Sequence, residues 1–113
     1  MSSIIKVYGI KNCDTVKKAL KYLSSNEISY EFIDFRVDPI SKNEFQNMIK
    51  EVGLEVFINK RSTTYRTLAD TEKENVNYEL VSKYPTLIKR PVLIKDGKIM
   101  VGYSEQEYSD FLR

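Results

Sequence analysis

Residues 4–35, IIKVYGIKNCDTVKKALKYLSSNEISYEFIDF, decide the fold. Ile4-Ile5-Lys6-Val7-Tyr8 is a short β-rich run stopped by Gly9. A loop from Gly9 to Asn12 leads to Cys13. Val16, Ala19, Leu20 and Leu23 then recur at i, i+3, i+4 and i+7, the apolar stripe of an amphipathic helix. Lys17, Lys18 and Lys21 form its other face, and Ser24-Ser25-Asn26 ends it. Tyr30 to Phe35 alternates aromatic or aliphatic residues with Glu31 and Asp34, which reads as a second strand. Strand, helix and strand within about thirty residues make a βαβ unit, so the two strands are expected to be parallel with a right-handed crossover.

Beyond this unit, Ser41 with Glu44 is a capping-box pattern, Phe45, Met48, Ile49 and Val52 follow as a buried stripe, and Gly53 stands where a helix ends. Leu54 to Ile58 continues apolar as a short helix. The segment Asn59-Lys60-Arg61-Ser62-Thr63-Thr64-Tyr65-Arg66 is polar and basic and reads as an exposed loop. From Ala69 to Tyr84 the pattern is mixed, with Leu80, Val81 and Tyr84 predicting a helix at its end, stopped by Pro85. Val92 to Lys95, Asp96-Gly97 and Lys98 to Val101 spell a hairpin around an Asp-Gly turn. Ser104 with Glu107 is a second capping-box pattern, opening a terminal helix that carries Tyr108, Phe111 and Leu112. The order βαβ, helical insert over about residues 40–88, then ββα predicts a single α/β domain over 1–113, without repeat or linker.

At 113 residues the chain can bury about two-thirds of its surface, enough for a core without disulfide or metal staples. Lys+Arg 18 against Asp+Glu 16 leaves a net charge of +2, too little to point to nucleic acid or an anionic membrane as the main partner. With His 0, no Ser–His, Cys–His or His-ligated metal site can be built from this chain. With Cys 1, no intramolecular disulfide is available and no metal site is expected. Apolar runs reach only four or five residues, too short to span a membrane. Met1-Ser2-Ser3 runs straight into the first strand without an apolar signal region, and a cytoplasmic location with a reduced thiol is expected.

Three groups of residues can carry chemistry. Cys13 lies between the first strand and the first helix, where unpaired N–H groups and the helix dipole favour a thiolate. The dipole is worth roughly 0.3–1 kcal/mol, which lowers a thiol pKa by about a unit or less. A lone cysteine is more often inert and buried, but a loop at the carboxyl end of a strand is where α/β folds place ligands. Arg90-Pro91 stands before the hairpin; the bland reading is a strand-entry proline, the sharper one a cis peptide beside the thiol. Arg61 and Arg66, with Lys60, form a basic loop able to grip a carboxylate or oxyanion, although such clusters are usually solvated surface. Tyr8, Tyr65, Tyr78 and Tyr103 read as half-buried packing, and Asp34 and Asp38 as surface or cap residues.

Together these residues resemble the arsenate-reductase-like ArsC/Spx/YffB family. The resemblance rests on Tyr8-Gly9-Ile10-Lys11-Asn12-Cys13-Asp14-Thr15, on Asn59 to Arg66 and on Leu87-Ile88-Lys89-Arg90-Pro91, and looks closest to the YffB branch. It implies a thioredoxin-like fold with a mixed four-stranded sheet. It also implies Cys13 as nucleophile, a cis Pro91 with Arg90 facing the thiol, and Arg61 in the place of an arginine of the arsenate-reducing members. Their third arginine falls at Gly102, and the residue after the cysteine, small in those enzymes, is Asp14; both departures oppose arsenate reduction. The Spx branch, a regulator that docks on RNA polymerase, carries Cys-x-x-Cys where this chain has Val16.

The function so implied is a glutathione-dependent thiol–disulfide reductase using one cysteine. No cofactor is bound, and glutathione serves as co-substrate against an unknown disulfide or oxidised sulfur. Lys11, Asn12, Thr15, Arg61, Arg90 and Pro91 are the expected substrate-binding residues. The alternative is a non-enzymatic, Spx-like docking module with RNA polymerase as partner.

Overall fold

The computed structural model describes residues 4–11 and 13–112. Among these, the elements in chain order are β1 Ile5–Gly9, α1 Asp14–Ser25, β2 Tyr30–Asp34, α2 Lys42–Val52, α3 Leu54–Phe57, α4 Thr63–Thr67, α5 Asp70–Glu74, α6 Tyr78–Lys83, β3 Val92–Lys95, β4 Lys98–Val101 and α7 Glu105–Phe111. A 3₁₀ turn at Pro85–Leu87 stands between α6 and β3. The chain divides into two compact units, residues 1–38 with 90–113, and residues 39–89. The Met1-Ser2-Ser3 entry to the first strand lies outside the described residues.

The first unit holds a mixed four-stranded sheet in the order β2-β1-β3-β4. β1 and β2 are parallel, as the βαβ reading requires, while β3 runs antiparallel to both β1 and β4. The apolar stripe of α1 packs on this sheet: Ala19 and Leu23 join Ile5, Val7, Leu93 and Tyr108 in one buried cluster. The hairpin turns as expected, with Asp96 at φ 50° and Gly97 at φ 80°, the left-handed pair that Asp-Gly adopts readily. The strand limits shift by one residue. Ile4 stays outside β1 and is 65% exposed, while Gly9 belongs to it. Ser104 opens α7 by accepting the Glu107 N–H at 3.4 Å, but the expected reciprocal half of a capping box is not formed.

The register gathers four chain ends on one side of the sheet. Gly9 pairs with Asp34, Tyr8 with Val92, and Val92 with Val101. The loop leaving β1, the turn leaving β2, the segment entering β3 and the segment leaving β4 therefore all lie at the carboxyl end of β1. This is the end at which the chain runs to Cys13.

The second unit is helical. Phe45 of α2 meets Phe57 of α3 edge-on at 5.8 Å and Tyr78 of α6 at 5.6 Å between ring centroids. Tyr78 also donates its hydroxyl to the Ile40 carbonyl at 3.0 Å. An antiparallel bridge between Ile58 and Ile88 closes the unit, with the Asn59 N–H on the Leu87 carbonyl and the Lys89 N–H on the Phe57 carbonyl, each 2.8 Å. Ser41 and Glu44 form the expected reciprocal cap of α2.

Three details differ from the sequence reading here. The Asn59–Arg66 segment is not all loop, because the Ser62 hydroxyl accepts the Tyr65 N–H at 3.1 Å and starts α4. A helix, α5, forms inside the mixed stretch, with the Glu72 carboxylate accepting the Ala69 N–H at 2.9 Å. Pro85 opens a 3₁₀ turn, consistent with a residue that has no N–H to lose at a helix start.

Candidate active site

Cys13 is the N-cap of α1, with extended backbone at φ −96° and ψ 126°. Its carbonyl accepts the Lys17 N–H at 3.0 Å and its N–H donates to the Ile10 carbonyl at 3.2 Å, so the residue is the hinge between loop and helix. The thiol is free and half-buried. It makes no capping hydrogen bond of the kind a serine makes, which leaves the first-turn N–H groups available to an anion.

Competing influences act on the thiol. Burial pushes it up, but the Val16 N–H, the Arg90 side chain, the Thr15 N–H and the Arg90 charge together outweigh burial and hold it below the ordinary thiol value. Thr15 acts through its backbone; its side chain is exposed on α1. Arg90 supplies both a hydrogen bond and a charge, from the segment entering β3. The bond from Arg90 to Pro91 is cis, and Pro91 is buried.

The backbone around the thiol is strapped from several sides. Gly9 approaches α1 so closely that a Cβ there would meet Val16 Cγ2 at 2.9 Å and Phe32 Cε1 at 3.3 Å. The Phe35 N–H donates to the Gly9 carbonyl at 3.0 Å. On the other side, the Gly102 N–H donates to the Pro91 carbonyl at 2.8 Å, while the Gly102 carbonyl accepts the Tyr108 hydroxyl at 2.7 Å. Burial, then the neighbouring Tyr103 and Glu107, hold the Tyr108 phenol far above its usual range, so it stays a donor. Gly102 sits at φ 84°, a conformation that favours glycine. The position therefore contributes backbone rather than a cation.

Of the expected binding residues, Lys11, Thr15, Arg90 and Pro91 belong to the unit that carries Cys13. The Lys11 side chain is exposed and its N–H is held by Asp34 Oδ2 at 3.2 Å. Asn12 lies outside the described residues. Arg61 belongs to the second unit, exposed ahead of α4, with its N–H on Asn59 Oδ1 at 3.1 Å. Its neighbour Lys60 reaches Glu55 at 3.7 Å. Among the described residues, no cluster of three or more His, Cys, Asp or Glu could hold a metal, and no helix is long and apolar enough to cross a membrane.

A thiol at the head of the helix that follows the first strand, beside a cis-proline segment of a mixed four-stranded sheet, defines a protein of thioredoxin-like fold. The chain belongs to the ArsC family, whose model matches residues 8–111. It is 44% identical over 109 residues to an uncharacterized protein of Haemophilus influenzae, covering 93% of this chain and 96% of that one. It is 29% identical over 114 residues to the global transcriptional regulator Spx of Listeria innocua, covering 96% of this chain and 87% of the regulator. Among solved structures it resembles a YffB protein at 33% identity and a TM-score of 0.89, covering 96% of this chain and 99% of that one.

Proposed function

We propose that the chain is a thiol–disulfide oxidoreductase that works through Cys13 alone and uses glutathione as its reductant. The observation that carries this reading is the Cys13 thiol itself, held below its ordinary value by Arg90 and the first-turn N–H groups of α1. The thiolate is the nucleophile in disulfide chemistry, so this setting raises the reactive fraction near neutral pH. Membership of a family that includes arsenate reductases supports redox work at that cysteine.

The chemistry balances in two exchanges. The Cys13 thiolate attacks the glutathione sulfur of a mixed disulfide R–S–S–G, forming Cys13–S–S–G and releasing the thiolate RS⁻. A second glutathione thiolate attacks the glutathione sulfur of that adduct, producing oxidised glutathione and regenerating the Cys13 thiolate. With one cysteine in the chain, the second thiol must come from solution. Arg90 and Lys11 are the cations of this unit that we assign to the two glutathione carboxylates. Arsenate is not the substrate we assign, because Gly102 offers no cation and Asp14 puts a negative charge next to the nucleophile.

Mass spectrometry after incubation with oxidised glutathione tests the reading. One glutathione adduct on Cys13, absent from Cys13→Ser, is expected, together with glutathione-coupled reduction of a model mixed disulfide. A thiol that takes no adduct would sink it. That outcome favours the docking-module reading, which the likeness to the Listeria regulator keeps in view.

A further inference from the structure

We propose that Asp34 is a positioning residue for the Cys13 thiolate, an inference that rests on the reactive-thiol reading above. Asp34 closes β2, and its carboxylate is shared between two backbone donors: Oδ1 accepts the Arg36 N–H at 2.9 Å and Oδ2 the Lys11 N–H at 3.2 Å. Its carbonyl accepts the N–H groups of Val37 at 3.0 Å and Asp38 at 2.8 Å. One residue thus fastens the turn leaving β2 and, across the parallel register that pairs it with Gly9, the loop leaving β1.

Lys11 stands two residues before Cys13. The groups that favour the thiolate, the Val16 and Thr15 N–H groups and Arg90, act over hydrogen-bond range, where a small displacement of the sulfur loses them. Held by Asp34 at Lys11 and by the Ile10 carbonyl at its own N–H, Cys13 keeps its place at the head of α1. Charge alone would give Asp34 the opposite effect, since a carboxylate near a thiol disfavours the thiolate. Asp34 is not among the groups that shift Cys13, consistent with a carboxylate occupied by backbone donors. The positioning role and a bare charge effect therefore predict opposite signs.

The test compares wild type, Asp34→Ala and Asp34→Asn by iodoacetamide alkylation against pH and by amide hydrogen exchange at Lys11. In the wild type the alkylation midpoint is expected below the free-thiol value of about 8.5. Asp34→Ala is expected to raise that midpoint, to slow alkylation at pH 7 by about two- to fivefold, the range of a helix-terminus interaction, and to speed Lys11 exchange. Asp34→Asn keeps one acceptor without the charge and is expected to fall between the two. It also serves as the test variant should the alanine protein fail to fold. A lowered midpoint in both variants would make Asp34 a bare charge, and an unchanged midpoint with unchanged Lys11 exchange would remove it from the site. An ordinary wild-type midpoint would instead overturn the reactive-thiol reading, and this inference with it.

Discussion

Cys13 and Ser62 both cap a helix at the end of a polar loop, and they do it differently. Ser62 spends its hydroxyl on the Tyr65 N–H of its own helix, and the segment around it is held locally, by Asn59 Oδ1 on the Arg61 N–H and by the 2.6 Å contact of the Thr64 and Thr86 hydroxyls. Cys13 makes no capping bond, and its surroundings are held from elsewhere, by Asp34 on Lys11 and by Phe35 on Gly9. A cap whose side chain is consumed by its helix is a structural device. A cap whose side chain leaves the first-turn donors unspent, while the backbone beneath it is strapped by other elements, is available for chemistry.

The sharpest way to break this comparison is at Arg90. It lowers the Cys13 thiol by both hydrogen bond and charge, so Arg90→Ala is expected to raise the midpoint of alkylation against pH. The sign follows from the thiolate being the charged form. Below the wild-type midpoint the variant reacts more slowly, and well above the raised midpoint the difference disappears. If Arg90 also holds a glutathione carboxylate, losing a charge-assisted hydrogen bond of roughly 1.5–3 kcal/mol weakens the adduct by about ten- to hundredfold. An unchanged pH profile and adduct yield would take Arg90 out of the site.

The next effect is on folding, at Gly9. Replacing glycine in a strand ordinarily gains about 0.5–1 kcal/mol. Here the new Cβ would press on Val16 and Phe32, at 2.9 Å and 3.3 Å, and overpacking costs typically about 1–3 kcal/mol. The contact therefore wins, and Gly9→Ala is expected to lose up to about 2 kcal/mol in urea unfolding. A variant as stable as wild type would mean that α1 has room to move away from β1.

How much of this was legible in the sequence depends on the length of each element. α1 spans three turns and α2 nearly as many, so their apolar stripes show in the residue pattern. α3 to α6 run only four to six residues, too short for periodicity to register, and two of them are started by side chains, Ser62 and Asn77, rather than by an apolar face. The cap residues were the available signal, and Ser62 in a basic run was easily taken for loop. At the site, Cys13 and Arg90-Pro91 announce themselves by residue type and position. Asp34 reads only as a surface or cap residue, and half of that is right, since it does cap its own turn through Arg36. Its hold on Lys11, 23 positions away, comes from the parallel pairing of β1 with β2, a register that neither strand displays alone.

The smallest effects belong to the Ser62 loop, and they sharpen the contrast best. Ser62→Ala removes the hydroxyl that accepts the Tyr65 N–H, and losing such a cap costs typically about 1 kcal/mol. That loss is expected in urea unfolding, with the Cys13 pH profile superimposing on wild type. Arg61→Ala is expected to do still less. Its backbone N–H keeps Asn59 as partner whatever the side chain, so the turn survives the substitution. None of the groups that set the Cys13 thiol belongs to this segment: they are the Val16 and Thr15 N–H groups and Arg90. The alkylation midpoint of Arg61→Ala should therefore match wild type, in contrast to Arg90→Ala. A raised midpoint would show that the Arg61 guanidinium acts on the thiol, and the division between a self-contained cap and a reactive one would fail at its most exposed cation.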